Sequence, residues 1–338
     1  MTLGQWSPFG HDRTWSTGRP SPERGIALIM VIWVLTFLSI VLSAFAFSMR
    51  TEMRAARNFK EEAEVSALAE AGIARAVTEL SNAEARGDAT APVPHYSSGD
   101  VPLGRGTYRV AVMDEGGKIP LNQASEEVWR RLLRNTGVRD PRLLDTLVDS
   151  ILDWRDEDDL PRASGAEADY YLSLSQPYHP RNGEFEHLEE LLLVKGMTRE
   201  IFFGNVGNPE RLAALLDTSP EERDLQPGEY LGIRSFLSTR SAGQVNVNTA
   251  SLDVLVALGL SASEAMSILE NRKHGPIRSQ IPQARRGLPL TTASGTYRIE
   301  STGSLPGSPF VYRITAIVQK AGTPSQPRLR VLSWREGL

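Results

Sequence analysis

The 338-residue sequence contains no cysteine. That excludes a cysteine-ligated metal site, a thiol nucleophile and a disulfide framework, and it removes disulfides as a guide to compartment. A basic excess is also missing: 37 Lys and Arg stand against 41 Asp and Glu, with a pI of about 5.9. Proteins whose main partner is nucleic acid usually carry the opposite balance, so no nucleic acid is expected. Only five histidines occur. His11 falls in the N-terminal segment and His95 in a loop, while His179, His187 and His274 lack metal-ligating spacing. No nucleophile or phosphate-cradling glycine loop accompanies the carboxylates, so the residues assemble no acid–base or nucleophilic machinery and no enzyme is expected.

A last absence is local. From Ile26 to Met49 there is no charged residue, no Gly and no Pro. Roughly 24 residues at about 1.5 Å each make a helix of about 36 Å, enough to cross a hydrocarbon core of about 30 Å. Only an internally hydrogen-bonded helix can lie there. A secretory signal would have a shorter apolar run followed by a small-residue cleavage site. Here the small residue comes in front, as Arg24-Gly25 before Ile26. Residues 1–25 are rich in Gly, Pro, Ser, Thr and Trp and read as unstructured. Arg13, Arg19 and Arg24 outnumber Asp12 and Glu23, as on a cytoplasmic flank.

After Arg50 the helix continues with Met53, Phe59, Ala63, Ala67, Leu68, Ala71, Ala74 and Val77 at three- and four-residue steps, an amphipathic period. Residues 50–120 thus read as an amphipathic half-helix to about Leu80, a loop from Ser81 to Leu103, and a strand over Gly106–Asp114. Residues 121–290 turn helical, with helices over Glu126–Asn135, Pro141 to about Trp154, about Phe185–Val194, Leu252–Leu258 and Ser263–Arg272. Asn122-Gln123-Ala124-Ser125 and Asn248-Thr249-Ala250-Ser251 look like an internal repeat, each entering a helix whose N-terminus Asn, Ser or Thr can cap. Residues 291–338 alternate over 296–301, 310–318 and 328–334 as an antiparallel meander, and Gly295-Thr296-Tyr297-Arg298 echoes Gly106-Thr107-Tyr108-Arg109. The simplest arrangement is an α+β fold. A long N-terminal helix packs on an antiparallel sheet that includes the early strand, and a large all-α domain is inserted between the strands.

The segment Asp153–Asp169 holds seven carboxylates against Arg155 and Arg162. Hard oxygens packed in a loop suit Ca²⁺, which takes six to eight of them at about 2.3–2.6 Å. Asp156, Asp158 and Glu167 fall at the first, third and twelfth places of an EF-hand frame, but Leu160 is fifth and Pro161 sixth, where Gly is needed. It is therefore not an EF-hand, and on composition alone a solvated acidic loop is an equal reading.

A charged leader ending in Gly25, an apolar half-helix and an amphipathic half-helix together resemble type IV pilins and pseudopilins. The resemblance implies cleavage after Gly25 by a prepilin peptidase and methylation of the new N-terminus at Ile26. Most pilins have Glu at the fifth mature position, and this chain has Met30. Further motifs are Asp153-Trp154-Arg155-Asp156-x-Asp158, Gly165-Ala166-Glu167, Tyr170-Tyr171, Asn182, Phe185, Leu188-x-Glu190-Leu191, Val194-x-Gly196-Met197 and Val245-Asn246-Val247-Asn248-Thr249-Ala250. With Met30, they make the chain from about Arg24 onward similar to the K-type minor pseudopilin family of the type II secretion system. That resemblance implies a pilin-like fold with an inserted calcium-binding helical domain. It implies Asp156, Asp158 and Glu167 as first ligands, then Asp159, Asp169 and Asn182. Some relatives carry an acidic residue after Gly-Ala-Glu, where this chain has Ala168. The implied role is a structural subunit at the tip of a periplasmic pseudopilus that supports its assembly and protein export. Such a subunit is anchored in the inner membrane by one span, with the C-terminal domain in the periplasm. Implied partners are the other minor pseudopilins and the prepilin peptidase, with secreted proteins as a further class. A competing resemblance is to membrane-anchored helix-hairpin-helix DNA-uptake proteins, through Val245–Ser251, a helix pair, and Asn271-Arg272-x-x-Gly275-Pro276. Its Gly-x-Gly turn is incomplete at Gly259-Leu260-Ser261.

Overall fold

The structure, a computed structural model, describes residues 23–85, 96–241, 243–278, 288–323 and 326–337. Most of the expected leader, and residues 86–95 of the expected loop with His95, therefore lie outside the described residues. The chain divides into two units, Met1–Lys60 and Glu61–Leu338.

In the first unit the described residues form the N-terminal part of one helix, α1 (Glu23–Ala85). It starts three residues before Ile26, so Glu23, Arg24 and Gly25 are helical rather than unstructured; the helix extends beyond the apolar run by those three residues. Every residue from Ile26 to Lys60 is exposed. Two hydroxyls within the apolar run are satisfied by the helix itself: Thr36 Oγ1 donates to the Ile32 carbonyl and Ser39 Oγ to the Leu35 carbonyl, both at 2.8 Å. These two need no water, which suits a segment long and apolar enough to cross a membrane.

In the second unit, the rest of α1 buries Val65, Leu68, Ala69, Ile73, Ala76 and Leu80, one helical face, against a sheet. The sheet runs β1 (Tyr96–Ser97), β3 (Gly106–Asp114), β8 (Thr296–Ser304), β9 (Val311–Thr323) and β10 (Gln326–Gly337), with β2 (Val101–Leu103) also pairing with β3. All of its pairings are antiparallel. Tyr108, Val110, Val112, Tyr297, Ile299, Ile314, Ala316 and Val318 meet the helix. A Cβ at Gly303 would overlap the Val65 carbonyl oxygen, so backbone meets backbone there. As expected, the early strand joins the C-terminal ones. The helix, however, continues through Ala85, and β1 and β2 occupy part of the expected loop.

The chain leaves the sheet at Asp114 and returns beside it, where Asp114 stands opposite Tyr297. Between lie β4 (Ile119–Pro120), α2 (Glu126–Asn135), α3 (Pro141–Arg155), α4 (Ala168–Leu172), α5 (Arg199–Phe203), α6 (Pro209–Asp217), β5 (Leu237–Ser238), β6 (Val245–Asn246), α7 (Leu252–Ala257), α8 (Ala262–Asn271) and β7 (Leu290–Thr291). A second core, including Trp129, Leu132, Leu147, Ile151, Tyr171, Phe202 and Leu255, holds this helical region together. The expected helix over Phe185–Val194 is instead a 3₁₀ segment, Leu188–Leu193. Burial of Leu188 and Leu191, three apart, fits a three-residue turn, and the Glu190 carboxylate accepts from the Glu186 and His187 amides at its start. Helices α4, α5 and α6 were not expected.

The internal repeat is structural. Ser125 and Ser251 accept from the Val128 and Val254 amides. Asn122 brackets the backbone N–H and C=O of Phe185, and Asn248 does the same to Ile277. Arg155 donates to the Asn122 and Ala124 carbonyls, and Arg272 to those of Val247 and Ala250. Each repeat is thus a helix pair whose second helix ends in an arginine that satisfies the loop preceding the first.

Candidate metal centre

Helix α3 fixes the start of the site. Asp140 caps it through the Arg142 amide at 3.0 Å, Pro141 supplies a ready-made first-turn φ, and the helix ends with Asp156 as its C-cap. The acidic loop then returns to α4, where Glu167 occupies the N-cap position. Glu167 makes no side-chain cap bond, so its carboxylate is turned elsewhere.

It is turned to the other acids. Asp156, Asp158 and Glu167 each place a carboxylate oxygen within 4.8 Å of the others. Glu167 is 4% exposed. Both of its oxygens, Oδ1 of Asp156 and Oδ1 of Asn182 are buried without a hydrogen-bond partner. Ionised carboxylates only accept, and acceptors buried without donors are costly. Burial, then repulsion from Asp153, Asp156, Asp159 and Asp158, pushes Glu167 up to about 7. Burial and the neighbouring Asp158 raise Asp156. Three buried oxygens of hard character on Asp156 and Glu167, none with a donor, form the start of a donor set that fits Ca²⁺ or a similar hard cation.

The other expected ligands stand apart. Asn182, at φ 46 in the left-handed region, donates through Nδ2 to the Asp158 carbonyl at 3.2 Å and to Asp159 Oδ1 at 2.9 Å. This leaves its Oδ1 free for the site but commits one Asp159 oxygen elsewhere. Asp169 lies with Asp159, Pro161, Tyr170 and Glu167 itself along one groove but is not among the three converging carboxylates. Gly25 and Ile26 sit in α1.

Reasoning from sequence missed the support. Asp153 is fully buried and accepts from the Arg162 and Ala166 amides, and Asp149 accepts from the Ser164 amide. Lys195 Nζ donates to the Gly165 carbonyl at 2.8 Å and the Ser164 carbonyl at 3.3 Å. The available signal was the four-residue spacing of Asp149 and Asp153, which puts both on one face of α3.

Comparison with known proteins bears on this region first. A family model described as type II secretion system (T2SS), protein K matches residues 108–203, which span β3 through the acidic loop to α5. The type II secretion system protein K of Pseudomonas aeruginosa is 26% identical over 270 residues, covering 74% of this chain and 72% of that one. Its counterpart in Pectobacterium carotovorum is 34% identical over 76 residues, 22% of this chain and 23% of that one. A chain in the crystal structure of the GspK-GspI-GspJ complex from enterotoxigenic Escherichia coli shares the fold. It aligns with a TM-score of 0.53 at 17% identity, covering 85% of this chain and 99% of that one.

Proposed function

We propose that the chain is a protein K of the type II secretion system and acts as a minor pseudopilin at the tip of the pseudopilus, a structural subunit and not an enzyme. The observation that carries this reading is an exposed apolar helix continuous with one that packs on an antiparallel sheet, from which a large helical region is inserted. The helical region adds bulk that a subunit buried along a fibre would have to accommodate. Met30 replaces the carboxylate that would otherwise need a neighbour ahead of it in lipid. Both features suit an end position. The anchor is a single pass near the N-terminus. We assign it to the inner membrane, with the sheet and helical region in the periplasm and the cut falling between Gly25 and Ile26. The solved relative lies in a complex with GspI and GspJ, so the equivalent minor pseudopilins are the partners to test, with Val31–Leu42 and the amphipathic half of α1 as the contact. The comparisons favour this reading over DNA uptake.

The helical region binds a hard cation, by preference Ca²⁺, through Asp156, Asp158, Glu167 and the Asn182 amide oxygen. The bound ion supplies the positive charge that these buried acceptors lack. Intact mass of the membrane-extracted chain, with and without co-expressed prepilin peptidase, tests the class. A product beginning at N-methyl Ile26 supports it, and a chain that keeps residues 1–25 beside active peptidase overturns it.

A further inference from the structure

The two halves of the acidic loop are held in different ways. The half from Asp156 to Leu160 is tied by its own side chains: Asp158 Oδ1 accepts from the Leu160 amide at 2.9 Å, and Asn182 bridges Asp158 and Asp159. The half from Arg162 to Glu167 hangs on α3. Alternate amides of Arg162, Ser164 and Ala166 donate to two carboxylates one helical turn apart, to Asp153 at 3.2 Å, to Asp149 at 2.9 Å and to Asp153 at 2.9 Å respectively. On the carbonyl side Lys195 clamps Ser164 and Gly165, and its ammonium also lies 5.0 Å from the centre of the Tyr170 ring. Packing is tight enough that a Cβ at Gly165 would overlap Asp153 Oδ2. Both Asp153 oxygens are engaged by the loop backbone and by Arg162.

We propose that Asp149 and Asp153 are positioning residues that pre-form the Arg162–Glu167 half of the loop, so that Glu167 stands in place before a cation arrives and only the Asp156–Leu160 half adjusts to it. The proposal rests on the cation reading given above. Its physical basis is that charge-assisted bonds from backbone amides to buried carboxylates hold a loop without any ion. Ligands already fixed by such outer partners lose little freedom on binding, and removing outer partners typically costs 10–100-fold in metal affinity. Gly165 is the residue that permits the approach.

Hydrogen exchange on the full chain in detergent, stripped with EDTA, reads the pre-formed half directly; terbium titration at neutral pH reads the site. In the wild type the Arg162, Ser164 and Ala166 amides are protected without ion. Asp153→Asn and Gly165→Ala each lose that protection and weaken terbium binding by about 10–100-fold at unchanged stoichiometry and helix content. Asp149→Asn, which touches one amide of the three, shows a smaller effect. Wild-type amides that become protected only on adding terbium would overturn the proposal, as would variants that bind with unchanged affinity. Protected amides in a wild type that binds neither terbium nor calcium would sink the cation reading instead, and leave the pre-formed loop standing.

Discussion

Glu167 carries the chemistry of the site at the scale of a single residue. In the ion-free protein its folded value, about 7, lies above its ordinary 4.5. A carboxyl group with a raised folded value binds its proton more tightly when folded. The stability this contributes is fully present below about pH 4.5 and is lost as pH rises through about 7. Calcium competes with that proton, so its affinity climbs by about tenfold per pH unit across the same window and levels off above it. Calorimetric titration from pH 5 to 8 should show this slope in the wild type. Glu167→Gln keeps the shape and removes the charge; it should flatten the slope, weaken calcium binding at pH 8 by at least about 100-fold, and stabilise the ion-free protein above pH 7. A Glu167→Gln protein that binds calcium normally would remove this residue from the site. In the wild type at pH 8, calcium at about 100 times its dissociation constant should add about 2.7 kcal/mol, which EDTA reverses.

The elements differ in how much of their support is private. The second half of α1 can approach the sheet only because Gly303 offers no side chain to the Val65 carbonyl. Gly303→Ala should therefore separate helix and sheet locally and cost about 1–3 kcal/mol in chemical denaturation, an overpacking penalty. If the variant is as stable as wild type, α1 is not seated as tightly as described. In the inserted region Asn248→Ala strips both partners from the half-buried Ile277 backbone at once and should cost about 1–2 kcal/mol by leaving part-buried groups unpaired. Much of this was legible in sequence. The apolar run, the strand alternation and the Asn-x-Ala-Ser repeat were visible because each is a local pattern with its own period or cap. Asp156, Asp158 and Glu167 were singled out by the family resemblance, where spacing alone left a solvated acidic loop as an equal reading, and they converge. What sequence hid was long-range: the 3₁₀ geometry of Leu188–Leu193, whose apolar run mimics a helix, and the separation of Asp169 from the other acids. Helix α6 was announced by Asn208-Pro209, a cap followed by a first-turn proline, and could have been read. Short α5 carries only the Thr198 cap, too little pattern to find. Arg223 and Asp253, a fully buried pair thirty residues apart, follow from no local rule.

Across the second unit, the helical region and the sheet have separate cores, and the cation site belongs to the former. Their junction is narrow in sequence but rich in polar contacts. Asp114, 5% exposed at the end of β3, accepts from the Gly116 amide at 2.8 Å, from Asn246 Nδ2 at 3.0 Å, from Thr249 Oγ1 at 2.6 Å and from Ser294 Oγ. One carboxylate therefore joins the exit of the chain from the sheet, the second repeat of the helical region and the return to β8. Beside it buried Glu115 holds Lys118 and Arg298, whose charges keep its carboxyl below the usual range against the opposing pull of burial. Calcium bound near α3 acts on the sheet through such contacts, because among the described residues the three converging acids all lie in the helical region. In the wild type one cooperative transition that shifts upward with calcium is expected by calorimetry. Asp114→Ala leaves three side-chain or backbone donors and the Ser294 hydroxyl unpaired at once, a loss of about 3–5 kcal/mol by analogy with breaking a buried charged network. Because the loss falls on the junction and not on either core, the transition should split in two, with calcium moving only the half that reports on Trp129 and Trp154. A variant that still melts in a single, wholly calcium-responsive step would show that the two cores are coupled elsewhere, with the Glu115 cluster the next place to cut.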